Sequence, residues 1–422
     1  MLHQFTFKNF KSFKDETTLD LTASAIKEHP NDVVNDVHDE KVLKVAAIYG
    51  ANASGKSNVI KAFQSMRLRV LTSFKANDFL LGMENTPHWF EEETVPSEFS
   101  VLFSTAGKNY QYSFSVLKEK IVEESLYMRD PKLKKEAYIT LLEREGNQFS
   151  GELLNLTESA VISELVEDDI LLVSVLAKFK IDFIQDVYNW FESVRVVDYG
   201  NPYLERVAHY STTKGKMQPL KTLIEDPKEN EQLTDFIRAI DVGIDHLGVI
   251  GNEVQHLVSE NEFMETKRIV SYHKNPRTGK TITTPIEDES SGTLKMLNLY
   301  VDMKKTLDIG GTIFIDEMDA KLHPLLIRYI IILFHNPKTN PKHAQLIFST
   351  QEVFTLDKDN LRRDEIWFTD KDEFGCSELY SLVDYVDDEQ RKVRNDASYG
   401  KDYILGRYKS VPSLKRWEGL DG

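Results

Sequence analysis

Gly50-Ala51-Asn52-Ala53-Ser54-Gly55-Lys56-Ser57 fills every fixed position of the spacing G-x-x-x-x-G-K-[ST]. Each fixed residue type has work to do on a phosphate. Gly50 and Gly55 let the backbone turn tightly around an anion, and the loop's N–H groups form a concavity at a helix N-terminus. The Lys56 ammonium can reach the β- and γ-phosphates, and the Ser57 hydroxyl can ligate Mg²⁺. The apolar run Val45-Ala46-Ala47-Ile48-Tyr49 precedes the loop, and Val59, Ile60, Ala62, Phe63 and Met66 follow at helical spacing. Strand, glycine loop and helix are the context this chemistry needs, and they mark a nucleotide site.

Two further stretches carry chemistry. Ile313-Phe314-Ile315-Asp316-Glu317 reads as a buried strand ending in two carboxylates. Asp316 is placed to hold Mg²⁺, and Glu317 to act as general base on the water attacking the γ-phosphate. Upstream, Glu289-Ser290-Ser291-Gly292-Thr293 opens a helical segment. Ser290 suits a helix cap, and the same Ser/Gly turn suits binding the γ-phosphate of a nucleotide presented by another subunit.

The positioning elements follow from periodicity. Leu2, Phe5 and Phe7 alternate, Asn9 with Lys11-Ser12 suits a turn, and residues 23–43 read as a polar loop. After the first helix the period becomes two. Phe99, Val101 and Phe103, then Tyr110, Tyr112, Phe114 and Val116, flank an Ala106–Asn109 turn, and further antiparallel strands are expected near Ile121–Tyr127 and Tyr138–Leu142. Residues 155–245 read as helical, with stripes at Ile184, Val187, Tyr188, Phe191 and at Leu233, Phe236, Ile237, Ile240. Strands return over 247–286, followed by a helix from Ser290 and a βαβ succession through 312–317, 324–334, 345–349 and 364–369. No heptad pattern is sustained, so no long coiled-coil arm is expected.

Hydrophobic residues make up 41% and charged residues 28% of the 422, an ordinary globular composition of two or three domains or one domain with a large insertion. No apolar run reaches bilayer length and no leader pattern opens the chain, so a cytoplasmic protein without membrane contact is expected. The single cysteine, Cys376, excludes an internal disulfide and is expected to be buried and unreactive. A net charge of −16 argues against wholesale nucleic-acid coating, leaving Lys267, Arg268, His273, Lys274, Arg277 and Lys280 as a local basic stretch, a solvated hairpin or a contact for nucleic acid.

Taken together, Gly50–Ser57 with Asn58, the Ser290-Ser291-Gly292 turn, Asp316-Glu317 and Leu322-His323-Pro324 resemble the ABC-type ATPase heads of the SMC, RecF and OLD group. Asn9-Phe10-Lys11-Ser12-Phe13, Glu289–Thr293, Arg362–Phe368 and Tyr403–Tyr408 with Pro412 resemble more narrowly the stand-alone RloA-type ATPases of abortive-infection loci. That resemblance implies an α/β P-loop NTPase, an ABC-type head with an antiparallel β subdomain and an inserted helical lobe. It divides the chain into a split ATP-binding lobe, 1–150 with 300–422, and a helical lobe, 151–299, that carries the Ser290 turn. It assigns ATP to Gly50, Asn52, Ser54, Gly55, Lys56, Ser57, Asn58, Ser290, Ser291 and Gly292, Mg²⁺ to Ser57 and Asp316, and the reaction to Glu317, Lys56 and Gln351. It also implies a homodimer or higher homo-oligomer whose heads sandwich ATP, and an effector partner, a TOPRIM-type or other nuclease. His323 is placed at the dimer face by the same resemblance, or at an ordinary helix start by its Pro324 neighbour.

One departure stands out. Gln351 follows Thr350 where the group carries a switch histidine. Glutamine can hydrogen-bond a phosphate or water but cannot take a proton near neutral pH, so slow hydrolysis is expected. Arg362 and Arg363 read as partners of nearby carboxylates rather than arginine fingers. An anti-phage sensor or scaffold ATPase is the favoured reading and a RecF-like DNA-clamp ATPase the alternative. A self-contained OLD-type nuclease is disfavoured, because only 105 residues follow Glu317.

Overall fold

Parallel strands covered on both faces must be apolar throughout, and the run Val45–Gly50 is: all six residues are buried. In the computed structural model, which describes residues 1–75, 86–129, 137–152, 166–179, 181–200, 217–240, 243–251, 254–256, 263–265 and 268–411, this run is a central strand of a six-stranded sheet. Pro412 and Lys267 lie outside the described residues, as do parts of the 155–245 stretch. Strand order across the sheet is Arg195–Asp198, Thr312–Asp316, Gln345–Ser349, Val45–Gly50, Ile366–Lys371, Ser377–Ser381. The four central strands run parallel, and Ser377–Ser381 closes the edge antiparallel to Ile366–Lys371. Parallel alignment brings the C-terminal ends of 45–50, 312–316 and 345–349 to one sheet edge, which is where α/β sheets of this kind hold ligands.

The alternating segments form a second, seven-stranded antiparallel sheet in the order Gln148–Ser150, Tyr138–Glu145, Lys120–Arg129, Lys108–Leu117, Ser97–Thr105, Leu2–Lys8, Thr17–Asp20. The helix Lys56–Thr72 packs between the two sheets. Its Phe63 ring stacks on Phe314 of the six-stranded sheet at 4.3 Å and meets Phe5 of the antiparallel sheet edge-on at 5.2 Å. Trp190, on the helix Asp182–Ser193, stacks on Phe103 at 4.0 Å and seals the same core. Offset and edge-on aromatic packing of this kind fixes the helix axis and hence the loop at its N-terminus.

By internal contacts the chain divides into two units, Met1–Val197 with Thr306–Asp319 and Ile327–Gly422, and Asp198–Lys305 with Ala320–Leu326. The first boundary falls at Val197, not near residue 150, because Leu172–Leu176 and Asp182–Ser193 bury their apolar faces in the first unit's core. The second unit is mixed rather than helical. The helices Met217–Glu225 and Pro227–Ile240 accompany a three-stranded antiparallel sheet of His246–Ile250, Arg268–Lys274 and Thr281–Pro285. Residues 23–43, expected as loop, contain the hairpin Val33–Asn35 and Lys41–Leu43. The strand Arg195–Asp198 carried too short a pattern to be read from the sequence.

Candidate nucleotide site

The loop Gly50–Ser57 leaves its strand at the sheet edge and enters the helix through Gly55, whose φ of 119° is left-handed territory. A Cβ on Gly55 would lie 2.7 Å from Ser377 Oγ, and one on Gly50 would lie 2.5 Å from Thr369 Oγ1. Both glycines are therefore fixed by close approach as well as by backbone conformation. No side chain caps the helix, so its first N–H groups face the loop concavity. Asn52 and Ala53 crest the loop and are exposed, whereas Ser54, Gly55 and Lys56 are buried.

A hydroxyl network braces the loop from outside. Ser54 Oγ lies 2.5 Å from Thr369 Oγ1, and Ser377 Oγ donates to Ser54 O at 2.7 Å and lies 2.8 Å from Ser12 Oγ. Asn58 Nδ2 donates to the same Ser12 Oγ at 2.8 Å. The Asn9–Phe13 turn is thereby anchored to the phosphate loop. Asn9 itself is buried and ties His88 N and Val95 O to the turn at 2.8 and 2.9 Å.

Lys56 Nζ donates to Gly50 O at 2.7 Å and Ala51 O at 2.8 Å, spanning the loop mouth. Burial pushes its pKa down, and the carboxylates of Asp319, Asp316 and Glu317 oppose that shift. Ser57 Oγ donates to Asp316 Oδ1 at 3.0 Å, and Ser349 Oγ donates to the same oxygen at 2.5 Å. Ser349 Oγ also accepts Glu317 N at 2.8 Å. Glu317 stands just past the strand end with φ at 50°, a conformation that costs about 1–3 kcal/mol in a non-glycine residue. Gln351 is exposed, and its backbone N–H donates to Asp319 Oδ2 at 3.1 Å.

Lys56, Ser57, Asp316 and Glu317 thus stand together at one sheet edge. The residues fit a Mg²⁺–nucleotide: a glycine cradle that any Cβ would fill, a hydroxyl and carboxylate in mutual contact, and a charged amine across the mouth. Sequence reasoning passed over Asp319, Ser349, Thr369, Ser377 and Ser12. The only signal available was Asp319 in the run Asp316-Glu317-Met318-Asp319, since the others become neighbours only in the folded chain.

The second unit holds the Ser290 turn. Ser290 Oγ accepts Thr293 N at 3.1 Å and caps the helix Ser291–Ile309, with Ser290 and Ser291 exposed. A Cβ on Gly292 would come within 3.2 Å of Lys321 O. His323 Nδ1 accepts Leu325 N at 3.2 Å, ordinary chemistry for a helix beginning at Pro324.

Arg362 pairs with Asp364 at 2.7 Å and Arg363 with Glu28 at 2.7 Å, so both guanidiniums are engaged within the first unit. Cys376 is half-buried rather than buried, its thiol 3.6 Å from His88 Nε2 and its pKa pushed up by burial. Among the described residues, no helix is long and apolar enough to cross a membrane.

Residues 45–357, well over half of the chain, match the model of a family described as an AAA domain, putative AbiEii toxin, Type IV TA system. Among solved structures, the SMC head domain from Thermotoga maritima matches at 14% identity and a TM-score of 0.40, covering 90% of this chain and 98% of that one. No curated protein matches the chain.

Proposed function

The chain belongs to the AAA domain family described as a putative AbiEii toxin of a Type IV TA system, and on that premise we propose that it is an ATP-hydrolysing switch of the ABC-type head kind. Its ATP state controls a separate effector, a TOPRIM-type or other nuclease, in cytoplasmic anti-phage defence of the RloA type. The observation that carries the hydrolytic reading is the contact of Ser57 with Asp316, with Glu317 next in the chain.

In this reading Gly50, Asn52, Ser54, Gly55 and the helix N-terminus wrap the phosphates, and Asn58 steadies the loop through Ser12. Lys56 leaves the loop carbonyls to neutralise the β- and γ-phosphates. Ser57 and Asp316 hold Mg²⁺, which when bound polarises phosphoryl oxygens. Glu317 orients the attacking water and accepts its proton. Gln351 holds that water or the γ-phosphate by hydrogen bonds alone, which keeps turnover slow.

The γ-phosphate still lacks half its donors. Ser290, Ser291 and Gly292 of a second copy supply them in a two-fold arrangement, a reading supported by the exposure of both serines at the start of a 19-residue helix. The runner-up, a RecF-like DNA clamp, draws on the exposed Lys274, Arg277 and Lys280 of the hairpin in the second unit.

Steady-state hydrolysis tests the core of the proposal. Lys56→Ala should lower kcat/KM for ATP by roughly 100-fold or more, which is the scale of a lost transition-state cation. Unchanged turnover in a folded Lys56→Ala chain would remove the loop from catalysis.

A further inference from the structure

The antiparallel sheet of the first unit carries a second cluster of ligating groups, which no step of the ATPase reading uses. His3 lies on the strand Leu2–Lys8, Asp36 and Glu40 on the turn of the hairpin Val33–Leu43, and Asn109 on the strand Lys108–Leu117. One ligand atom from each of His3, Asp36 and Glu40 lies within 4.8 Å of the others. His3 and the Asp36 side chain are fully buried.

Two polar atoms here lack the partner that burial demands. His3 Nε2 has Ser104 Oγ at 3.1 Å, but His3 Nδ1 has no hydrogen-bond partner among the described residues. Asn109 Oδ1 likewise has none, although Asn109 is only 1% exposed. Buried polar atoms are nearly always satisfied, so two in one cluster call for an explanation.

His3 Nδ1 faces Glu40 Oε2 at 3.6 Å, and His3 Nε2 lies 3.7 Å from Asp36 Oδ2. The Nδ1–Oε2 gap is too long for a hydrogen bond. It is close to the separation of about 3.4 Å between two ligands held about 2.1 Å from one tetrahedral ion. The carboxylates are also anchored in the manner of metal ligands. Asp36 Oδ1 accepts His38 N and Glu40 N, both at 2.8 Å, Asp36 Oδ2 accepts Asn109 Nδ2 at 2.8 Å, and Glu40 Oε1 takes the Arg129 guanidinium, leaving Oε2 toward the imidazole.

We propose that His3, Asp36 and Glu40, with Asn109 beside them, bind a divalent transition-metal ion of the Zn²⁺ class. An imidazole with two carboxylates and an amide is an N/O donor set that suits zinc. The ion staples the N-terminal strand to the hairpin that leads into the phosphate-loop strand. A second cluster, Asp32, His335 and Glu365, does not qualify. His335 Nε2 already bonds Glu365 at 2.9 Å, and among the described residues no buried side-chain nitrogen or oxygen of that cluster is left without a hydrogen-bond partner.

The test uses the full chain, stripped with chelator and free of nucleotide, and titrated with Zn²⁺. Metal content after gel filtration should give one Zn²⁺ per chain, and Co²⁺ in its place should show the visible absorption of a tetrahedral site. Lys56→Ala should bind as wild type, whereas Glu40→Gln and His3→Gln should each weaken Zn²⁺ at least about 10-fold. Glu40 is 31% exposed, so its variant should fold even if the His3 variant does not. Absence of retained Zn²⁺ in wild type, or wild-type affinity in a folded Glu40→Gln chain, would overturn the assignment.

Discussion

Ser57 Oγ donates to Asp316 Oδ1 at 3.0 Å, joining residues 259 positions apart in the chain. Ser349 Oγ reaches the same oxygen at 2.5 Å. The strand carrying Ser349 lies between those carrying Asp316 and the phosphate loop, so the contact depends on sheet order. A hydroxyl and a carboxylate held in register before any ion arrives are preorganised, and preorganisation is where such sites gain most of their catalytic advantage.

Glu317 sits one residue beyond that carboxylate, its backbone N–H fixed by Ser349 and its φ at 50°. Glu317→Gln should keep ATP affinity within about 2-fold while lowering kcat by roughly 100-fold, the lower end of what a general base contributes. Nucleotide binding by fluorescence and phosphate release in the same preparation check this. Full turnover in the variant would take Glu317 out of the base role.

Gln351 is exposed just past the strand Gln345–Ser349, its backbone N–H donating to Asp319 Oδ2. Restoring a titratable group there should speed hydrolysis. Gln351→His is expected to raise kcat several-fold, on the order of 3–10, with a new dependence on pH near the imidazole range. An unchanged rate and pH profile would show that Gln351 does not set the rate of hydrolysis.

Much of this arrangement was legible in the chain, for identifiable reasons. The phosphate loop and Asp316-Glu317 are local patterns in which each residue type has one job, and the strands around them are long apolar runs. Phe99–Phe103 and Tyr110–Val116 alternate strictly, and they pair as expected. The hairpin Val33–Leu43 escaped notice because its strands are three residues each and flanked by polar turns. The braces at Ser12, Thr369 and Ser377 escaped for a different reason: a lone hydroxyl has no periodicity, and the contacts of Ser54 with Thr369 and Ser377 and of Ser12 with Ser377 each span more than 300 residues.

His335 offers a pH test of the scaffold. Burial alone pushes its pKa down, but the carboxylates of Glu365 at 2.9 Å and Asp32 at 3.5 Å outweigh burial and hold the value above the ordinary 6.5. A raised folded pKa means the imidazolium stabilises the native state fully below pH 6.5, and that contribution fades as pH rises through the folded value. The urea midpoint of the wild type should therefore fall between about pH 6 and pH 9 by more than that of His335→Gln. Equal slopes for the two proteins would contradict the assignment.

The central claim is that the loop Gly50–Ser57 is half of a site whose other half, Ser290–Gly292, comes from a second copy. Lys56→Ala and Ser290→Arg should each be inactive alone. Mixed in equal amounts with ATP, they should form heterodimers with one intact composite site, recovering about a quarter of wild-type hydrolysis per chain, because half the dimers are mixed and each has one of two sites working. No recovery on mixing, with both variants folded and exchanging subunits, would contradict the claim.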